Sequence, residues 1–190
     1  MTSPRIIAGT ARGLRLNDVP GDVTRPITDR VKEALFNILG ADIQDAEMLD
    51  LFGGTGSVGI EALSRGASFV RFCDKDRGAY STIQQNLKRT RLEHLAEVRN
   101  MDAYNLLRQQ PDRQFEYIYI APPQYKQMWL DALLELDKNP GWMTDDAWVI
   151  VQIHPVEYQP DLVFQHFTET EQRRYGSTLL IFYECNLGGN

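Results

Sequence analysis

The stretch LDLFGGTGSVGIEALSRG, residues 49–66, decides the fold of this chain. It places a glycine-rich turn directly between an apolar run typical of a buried strand and a segment with the apolar spacing of a helix. Gly54, Gly56 and Gly59 satisfy the pattern G-x-G-x-x-G. Such glycines let the backbone approach a ligand, and the helix start presents free N–H groups. The stretch therefore predicts a strand, a turn and a helix that together bind a nucleotide-like molecule.

Strand-like and helix-like segments alternate beyond this turn. The apolar runs that predict parallel strands are MLDLF (48–52), SFVRFCD (68–74), AEVRNMD (96–102), FEYIYIA (115–121) and AWVIVQIH (147–154). Amphipathic segments separate them, which predicts a parallel sheet covered by helices on both faces. Two final runs, LVFQHF (162–167) and STLLIFYE (177–184), have no helix between them and predict an antiparallel hairpin. We therefore expect an α/β, Rossmann-like fold with a mostly parallel seven-stranded sheet.

The amino-terminal part combines a basic segment with an amphipathic helix. Residues 1–17, MTSPRIIAGTARGLRLN, contain three arginines and no acid, and their glycines predict a basic β-hairpin. Helical spacing follows in ITDRVKEALFNILG (27–40), with Thr28 as the expected N-cap and Gly40 at the end. We expect a hairpin extension over residues 1–20 and one domain over residues 21–190.

The composition excludes several classes of protein. The 190 residues are 43% hydrophobic, which is enough for one buried core. A formal charge of −6 argues against a protein that coats nucleic acid over its whole surface, although a local basic patch can still contact phosphates. Cys73 and Cys185 form neither a CxxC pair nor a metal-ligand pattern. We expect a cytoplasmic protein without a metal ion, a disulfide or a membrane span.

Three acids follow successive predicted strands. Asp50, Asp74 and Asp102 each lie where a strand ends, and the carboxyl ends of parallel strands share one edge of a sheet, where open α/β folds bind ligands. Asp74 comes about 20 residues after the turn, where a ribose hydroxyl commonly finds its acceptor. Each acid also has a purely structural interpretation, as a loop brace for Asp50 or a helix N-cap for Asp102. Asp76 is expected to cap the next helix.

The charge of Asp50 distinguishes between candidate ligands. A dinucleotide would bring its pyrophosphate to the turn, where two negative groups desolvated together repel each other. S-adenosylmethionine carries an ammonium and a sulfonium, so a carboxylate at this position would attract it. The sequence therefore favours S-adenosylmethionine over NAD as the cofactor.

A rigid corner follows the fourth predicted strand, in YIYIAPPQYK, residues 117–126. Pro122 and Pro123 cannot donate to a sheet and fix the directions of nearby carbonyl groups. Such carbonyls can hold the N–H bonds of an exocyclic base amine, the usual nucleophile in nucleic-acid methylation. Tyr125 can stack on a flipped base or pack against the next helix. The corner therefore predicts the place where a base would be methylated.

Four blocks of sequence resemble a known bacterial family. They are DLFGGTGSVGIEALSRGA, TRPITDRVKEALFNILG, RIIAGTARGLRL and YGSTLLIFYE, and together they span most of the chain. They look like the class I S-adenosylmethionine-dependent methyltransferases that act on guanine N2 of 16S ribosomal RNA, of the guanine 966 type. The resemblance implies a Rossmann-like class I methyltransferase that takes part in rRNA processing.

The resemblance also implies roles for individual residues. The residues expected to line the cofactor are Asp50, Phe52, Gly53, Gly54, Thr55, Gly56, Asp74, Lys75, Asp102 and Ala103. Those expected to position the guanine for catalysis are Pro122, Pro123, Gln124 and Tyr125. Those expected to bind RNA are Arg5, Arg12, Arg15, Arg25 and Arg30. The expected partner is ribosomal RNA, within a small-subunit particle, and the protein is expected to be a monomer.

One position departs from the family pattern. Such enzymes carry Asp, or Asn in other amine methylases, before Pro-Pro and an aromatic residue, whereas this chain has Ala121 and delays the aromatic residue to Tyr125. Losing a charge-assisted hydrogen bond weakens transition-state stabilisation by about 1.5 to 3 kcal/mol. Ala121 therefore leaves open a weakened or inactive factor that binds cofactor and RNA. Two further alternatives rest on other features: an adenine-N6 methyltransferase would share the fold and cofactor, and an NAD-dependent oxidoreductase is favoured only by the glycine pattern and the acid downstream.

Overall fold

The computed structural model describes residues 3–21 and 26–188. The chain divides into two compact units, one ending at Asp102 and the other beginning at Ala103. Residues 3–20 lie in the first unit, and the expected domain boundary after residue 20 stays a prediction. Within these described ranges, seven strands follow the order β3-β2-β1-β4-β5-β7-β6 in the sheet. In the part of the chain that is described, no helix is both long and apolar enough to cross a bilayer.

Among its described residues, the first unit contains three parallel strands and three α-helices. The strands are β1 (Glu47–Asp50), β2 (Phe69–Asp74) and β3 (Ala96–Asn100), and the helices are α1 (Asp29–Leu39), α2 (Ser57–Ser64) and α3 (Arg77–Thr90). β2 lies between β1 and β3 and pairs in parallel with both. The strict parallel pairing confirms what the alternating apolar strands and helices predict.

The helix ends of this unit follow their capping residues. The Thr28 hydroxyl accepts a hydrogen bond from the Val31 N–H, and α1 stops at Gly40, which has a positive φ of 59°. Asp76 caps α3 by accepting from the Ala79 N–H at 2.8 Å. These three predicted roles are confirmed. Short 3-10 helices follow at Gly40–Ile43 and Glu93–Leu95.

Among the described residues, the second unit alternates two α-helices with two parallel strands and ends in an antiparallel hairpin. Its elements are α4 (Ala103–Arg108), β4 (Phe115–Ile120), α5 (Met128–Lys138), β5 (Met143–Ile153), β6 (Phe167–Tyr175) and β7 (Thr178–Cys185), with 3-10 helices at Pro140–Trp142 and Pro155–Glu157. β4 and β5 pair in parallel, whereas β7 pairs antiparallel with both β5 and β6. The α/β, Rossmann-like fold with its antiparallel end is thereby confirmed.

The first strand of the hairpin lies further along the chain than the sequence predicts. Residues 162–166 of the predicted run LVFQHF are loop, and β6 begins at Phe167. The strand itself reads FTETEQRRY, and most of its side chains are exposed. It is an edge strand, where charged residues discourage pairing with other chains, so its sequence lacks the apolar run that marks an inner strand. The prediction for 162–167 was therefore wrong in position and correct in pairing.

The N-terminal segment, residues 3–18, folds back on itself without forming strands. An isolated antiparallel bridge joins Arg5 to Arg15, and the Ile6 N–H donates to the Leu14 carbonyl at 2.9 Å. No strand is assigned within residues 3–21, so the predicted basic β-hairpin is not confirmed. The segment packs on α2, because a Cβ at Gly9 would lie 1.7 Å from the Ser64 carbonyl oxygen.

Candidate functional site

The glycine turn connects β1 to α2 and is shaped by close backbone approach. Gly54 has a φ of 57°, and a Cβ built there would meet nothing within 4 Å, so the turn is open on that side. Gly59 lies in the first turn of α2, where a Cβ would come within 2.2 Å of the Phe72 ring. The helix can pack this tightly on β2 only because Gly59 has no side chain. The turn therefore has the geometry of a nucleotide-binding loop.

Asp50 ends β1 as a buried carboxyl group. Its relative exposure is 1%, and Oδ1 is buried without a hydrogen-bond partner. Burial, followed by the nearby charge of Asp74, raises the Asp50 pKa from 3.8 to about 7, although the N–H groups of Gly59 and Phe52 favour the ionised form. Asp50 therefore braces α2 through the Gly59 N–H, which agrees with its structural interpretation. Its Oδ1 remains without a hydrogen-bond partner. A cationic ligand would satisfy that oxygen and favour ionisation.

Asp74 ends β2 and holds the turn from the other side. Its Oδ2 accepts a hydrogen bond from the Gly54 N–H at 3.0 Å, and its Oδ1 accepts from the Asp76 N–H at 2.9 Å. A carboxylate oxygen can accept more than one hydrogen bond, so Asp74 can also accept a hydrogen bond from a hydroxyl group of a ligand. Asp74 thereby links the position of the turn to the end of β2.

The three predicted acids follow strands that are neighbours in the sheet: Asp50 ends β1, Asp74 ends β2 and Asp102 comes two residues after β3, and these strands pair in parallel. Their charges act on the buried Cys73 thiol of β2. Burial raises its pKa to about 12, with further increases from Asp74, Asp102 and Asp50. Arg99 acts in the opposite direction. The carboxyl ends of β1, β2 and β3 therefore form an acidic edge, as the strand pattern predicts.

The other residues expected at the cofactor have varied surroundings. Phe52, Gly53 and Thr55 are half-buried in the turn, and Lys75 is exposed. The Thr55 hydroxyl accepts from the Ser57 N–H at 3.3 Å. Asp102 is half-buried, and Ala103 is the first residue of α4 in the second unit. Within residues 3–21 and 26–188, no three His, Cys, Asp or Glu side chains are grouped closely enough to hold a metal ion.

The proline corner directly follows β4 in the second unit. Ala121 is half-buried and Pro122 is buried, whereas Pro123, Gln124 and Tyr125 are exposed. Tyr125 has a φ of 65° and Gln127 one of 52°, in the left-handed region that residues other than glycine rarely adopt. The Tyr125 side chain is 65% exposed. The interpretation of Tyr125 as a packing residue of α5 therefore has little support, and its ring is available to a ligand.

Glu157 holds this strained corner. Its Oε1 accepts from the Tyr125 N–H at 2.9 Å, and its Oε2 accepts from the His154 N–H at 3.1 Å. The ring centroids of Tyr125 and His154 are 5.6 Å apart at 42°. Because β4 and β5 are parallel neighbours, their following residues meet at one end of the sheet, which brings His154 and Glu157 to the corner.

The predicted RNA-binding arginines are exposed where the structure describes them. Arg5, Arg12, Arg15 and Arg30 all present their side chains to solvent, and Arg25 lies outside the described residues. Arg5 forms an ion pair with Asp29 at 3.3 Å, and Arg15 donates to the Ser3 carbonyl at 3.4 Å. The segment is therefore a basic surface, partly neutralised at Arg5.

Four polar residues near the site escaped prediction from the sequence: Lys32, Glu61, Asn86 and Glu157. The first three are fully buried, and each joins segments that are distant along the chain. A charged residue within a helix normally indicates a solvated face, so no local signal reveals these contacts. Glu157 follows His-Pro after an apolar strand, which is a weak capping signal at best.

The sequence of this chain is similar to those of known bacterial proteins. The Bacillus subtilis (strain 168) protein YlbH is 36% identical over 182 residues, covering 95% of this chain and 98% of the relative. Ribosomal RNA small subunit methyltransferase D of Escherichia coli (strain K12) is 37% identical over 150 residues, covering 78% of this chain and 73% of that protein.

A solved structure and a family model agree with these relatives. The structure of the Escherichia coli protein yhhF has a TM-score of 0.85 and 31% identity, covering 96% of this chain and 98% of that one. The family model described as conserved hypothetical protein 95 matches residues 4–184. This chain, with its glycine turn, its acidic edge and its proline corner, belongs to the conserved hypothetical protein 95 family.

Proposed function

We propose that this protein is an S-adenosylmethionine-dependent methyltransferase that methylates guanine N2 in 16S ribosomal RNA. The observation that carries the proposal is the acidic edge of the first unit, where Asp50 has a buried oxygen without a partner. That edge suits a positively charged ligand. The Escherichia coli relative, named as a small-subunit ribosomal RNA methyltransferase, supports the RNA substrate.

The residues of the first unit fit S-adenosylmethionine by charge and by shape. The cofactor supplies an electrophilic methyl group for transfer. In our proposal Asp50 binds its ammonium group, and the open side of Gly54 gives its methionine part room beside the turn. Asp74 accepts a hydrogen bond from the ribose, and Asp102 binds the adenine amino group. The residues completing this site in the first unit are Phe52, Gly53, Thr55, Gly56 and Lys75, and Ala103 is included on the family resemblance.

The residues of the proline corner are proposed to hold the target base. The Pro122 carbonyl and the Gln124 amide oxygen accept hydrogen bonds from the exocyclic amine, which keeps its lone pair out of the base ring and available for attack. Pro123 keeps the corner stiff, and the exposed Tyr125 ring stacks on the base. The amine forms its bond to the methyl carbon as the sulfonium–methyl bond breaks and leaves a neutral thioether, so transfer is direct and requires no covalent enzyme intermediate. The methylated amine then loses a proton to solvent.

The basic N-terminal surface is proposed to bind RNA phosphates. Arg5, Arg12, Arg15 and Arg30 are exposed, and Arg25 is included on the family resemblance. Phosphate contacts position the RNA without selecting the base. Since the protein carries a net charge of −6, we propose that the substrate is a small-subunit particle recognised by shape, bound by a cytoplasmic monomer.

The decisive experiment measures methyl transfer from radiolabelled S-adenosylmethionine to small-subunit particles and to naked RNA, both lacking the modification. We expect label in 16S RNA and N2-methylguanosine after nucleoside digestion and mass spectrometry. Labelled N6-methyladenosine would instead identify an adenine methyltransferase. Calorimetry that shows NAD binding and no S-adenosylmethionine binding would overturn the proposal.

A second candidate function is a cofactor- and RNA-binding factor without catalysis. The observation that favours it is Ala121, which leaves the corner without the acid found in the family pattern. Ala121→Asp tests this, with Ala121→Asn as a neutral control of the same shape. If the missing acid limits catalysis, Ala121→Asp raises the rate about 10-fold to 100-fold, and Ala121→Asn raises it less. A rate lowered by Ala121→Asp would show that the corner works without the acid.

A further inference from the structure

Asn86 connects the glycine turn to the N-terminal segment. It lies on α3 and is fully buried. Its side-chain amide donates to the Thr55 carbonyl at 2.8 Å and to the Asn17 carbonyl at 3.1 Å. Its Oδ1 accepts from the Asn17 N–H at 2.7 Å. Both amide hydrogens are therefore used, one on the turn and one on the segment.

Lys32 makes a second connection of the same kind. It is fully buried on α1, and its Nζ donates to the Arg5 carbonyl at 2.5 Å and to the Ser57 hydroxyl at 2.9 Å. Its charge is paired with Glu61 at 3.2 Å, and burial lowers the Lys32 pKa from 10.5. Ser57 directly follows the turn and begins α2, so Lys32 also joins the N-terminal segment to the turn.

Glu61 completes the connection from α2. Its carboxylate accepts from the Ile7 N–H at 2.9 Å and from the Ala8 N–H at 3.1 Å. It also pairs with Arg65 at 2.9 Å. A buried polar group that loses its partner retains the cost of its desolvation. Movement of the N-terminal segment would therefore leave groups unsatisfied at Asn86, Lys32 and Glu61 together.

We propose that Asn86 is a positioning residue of the cofactor site, and that through it cofactor binding and docking of the N-terminal segment stabilise each other. This inference rests on the proposed function. A ligand seated against the turn fixes the Thr55 carbonyl, which fixes Asn86 and its bonds to Asn17. Because such coupling is reciprocal, RNA held by the segment's arginines tightens cofactor binding by the same factor.

Calorimetry with S-adenosylmethionine measures the positioning role. We expect Asn86→Leu, which keeps the branching at Cγ and removes the amide, to raise Kd at least 10-fold. The matched control is Thr90→Val, on the same helix and also buried, whose hydroxyl bonds only to the Asn86 and Leu87 carbonyls of α3 in the described structure. We expect Thr90→Val to lower thermal stability as much as Asn86→Leu does, but to change the Kd for S-adenosylmethionine less than 2-fold. Equal affinity losses in both variants would reduce Asn86 to a structural role and overturn the inference.

Hydrogen exchange measures the coupling directly in the wild-type protein, with Asn86→Leu as the comparison. Saturating S-adenosylmethionine should slow amide exchange in peptides covering residues 3–17 at least threefold, and Asn86→Leu should abolish that protection. Cofactor binding without any change in these peptides would overturn the coupling while leaving the proposed function intact. A wild-type protein that binds no S-adenosylmethionine would overturn both, so the two failures are distinguishable.

Discussion

The acidic edge of the first unit and the proline corner of the second both follow the carboxyl ends of parallel strands, yet they are stabilised in opposite ways. At the acidic edge, Asp50 is buried, Asp74 bonds to the Gly54 N–H, and glycines supply the positive φ angles. At the corner, Tyr125 and Gln127 adopt positive φ without being glycine, and both are exposed.

This difference separates a preformed site from a strained one. At the acidic edge, the unfavourable free energy comes from burying the Asp50 carboxyl group without a partner for one oxygen, and a bound ligand can supply that partner. At the proline corner, it comes from backbone strain, on the order of 1–3 kcal/mol per residue, which the Glu157 carboxylate must offset. Changes of charge or pH should therefore have their main effect at the acidic edge. Removal of a single hydrogen bond should have its main effect at the proline corner.

The largest expected effect is on stability against pH. The Asp50 pKa is raised from 3.8 to about 7, so the folded state binds the proton more tightly than the unfolded state. Its contribution to stability is fully present below pH 3.8 and is lost as pH rises through 7, which amounts to roughly 4 kcal/mol. Urea unfolding of the cofactor-free protein and of Asp50→Asn should show the wild type losing this amount relative to the variant across the window. Parallel pH profiles would contradict the assignment.

The next effect is on cofactor affinity. Asp50→Asn removes the charge at the acidic edge while keeping the shape of the side chain, and should weaken S-adenosylmethionine binding about 100-fold, because charge-assisted hydrogen bonds contribute up to about 3 kcal/mol. Calorimetry at pH 8, where the wild-type carboxyl is ionised, measures it. As the matched control, Asp131→Asn alters an acid of α5 and should leave Kd unchanged. An unaltered Kd in Asp50→Asn would remove the charge argument for the cofactor.

Gly59→Ala should act through packing alone. The added Cβ lies 2.2 Å from the Phe72 ring, so α2 must move away from β2, at a cost of about 2 kcal/mol in unfolding free energy. Gly188→Ala is the control, since its Cβ meets nothing within 4 Å. Denaturant unfolding compares the two variants. Equal stability would mean that the close approach of α2 to β2 is not a constraint.

The smallest expected effect is at the proline corner. Glu157→Ala removes the acceptor for the Tyr125 N–H, so the strained corner relaxes and the base is held less well. We expect methyl transfer under single-turnover conditions to slow about fivefold, equivalent to about 1 kcal/mol, while the Kd for cofactor stays unchanged. Glu157→Gln, which keeps one acceptor oxygen, should recover part of the rate, and Glu184→Ala, an exposed acid of β7, should have no effect. A loss of cofactor affinity in Glu157→Ala would contradict this division of roles.

Much of the fold and part of the site follow from local sequence. The apolar runs predict β1 to β5 because inner parallel strands are buried on both faces, and Thr28, Gly40 and Asp76 mark helix ends through their own backbone contacts. Asp50, Asp74 and Asp102 could be grouped because strand ends in such a sheet share an edge.

The remainder depends on contacts between distant segments. β6 carries no apolar run because it lies at an edge, so its position was misplaced. The N-terminal segment depends on Glu61, Lys32 and Asn86, which are far away in the sequence and look like surface residues. The backbone strain at Tyr125 likewise depends on Glu157, 32 residues later.

Both cysteine thiols of this protein are expected to react slowly. Cys73 and Cys185 are buried, and burial raises the pKa of each, to about 12 for Cys73 amid its three carboxylates. The thiolate is the form that attacks peroxides and alkylating reagents, and it is scarce at neutral pH at such a site. Oxidants should therefore leave Cys73 at the acidic edge unmodified. The purified enzyme should keep its activity in the presence of iodoacetamide and during storage without reductant.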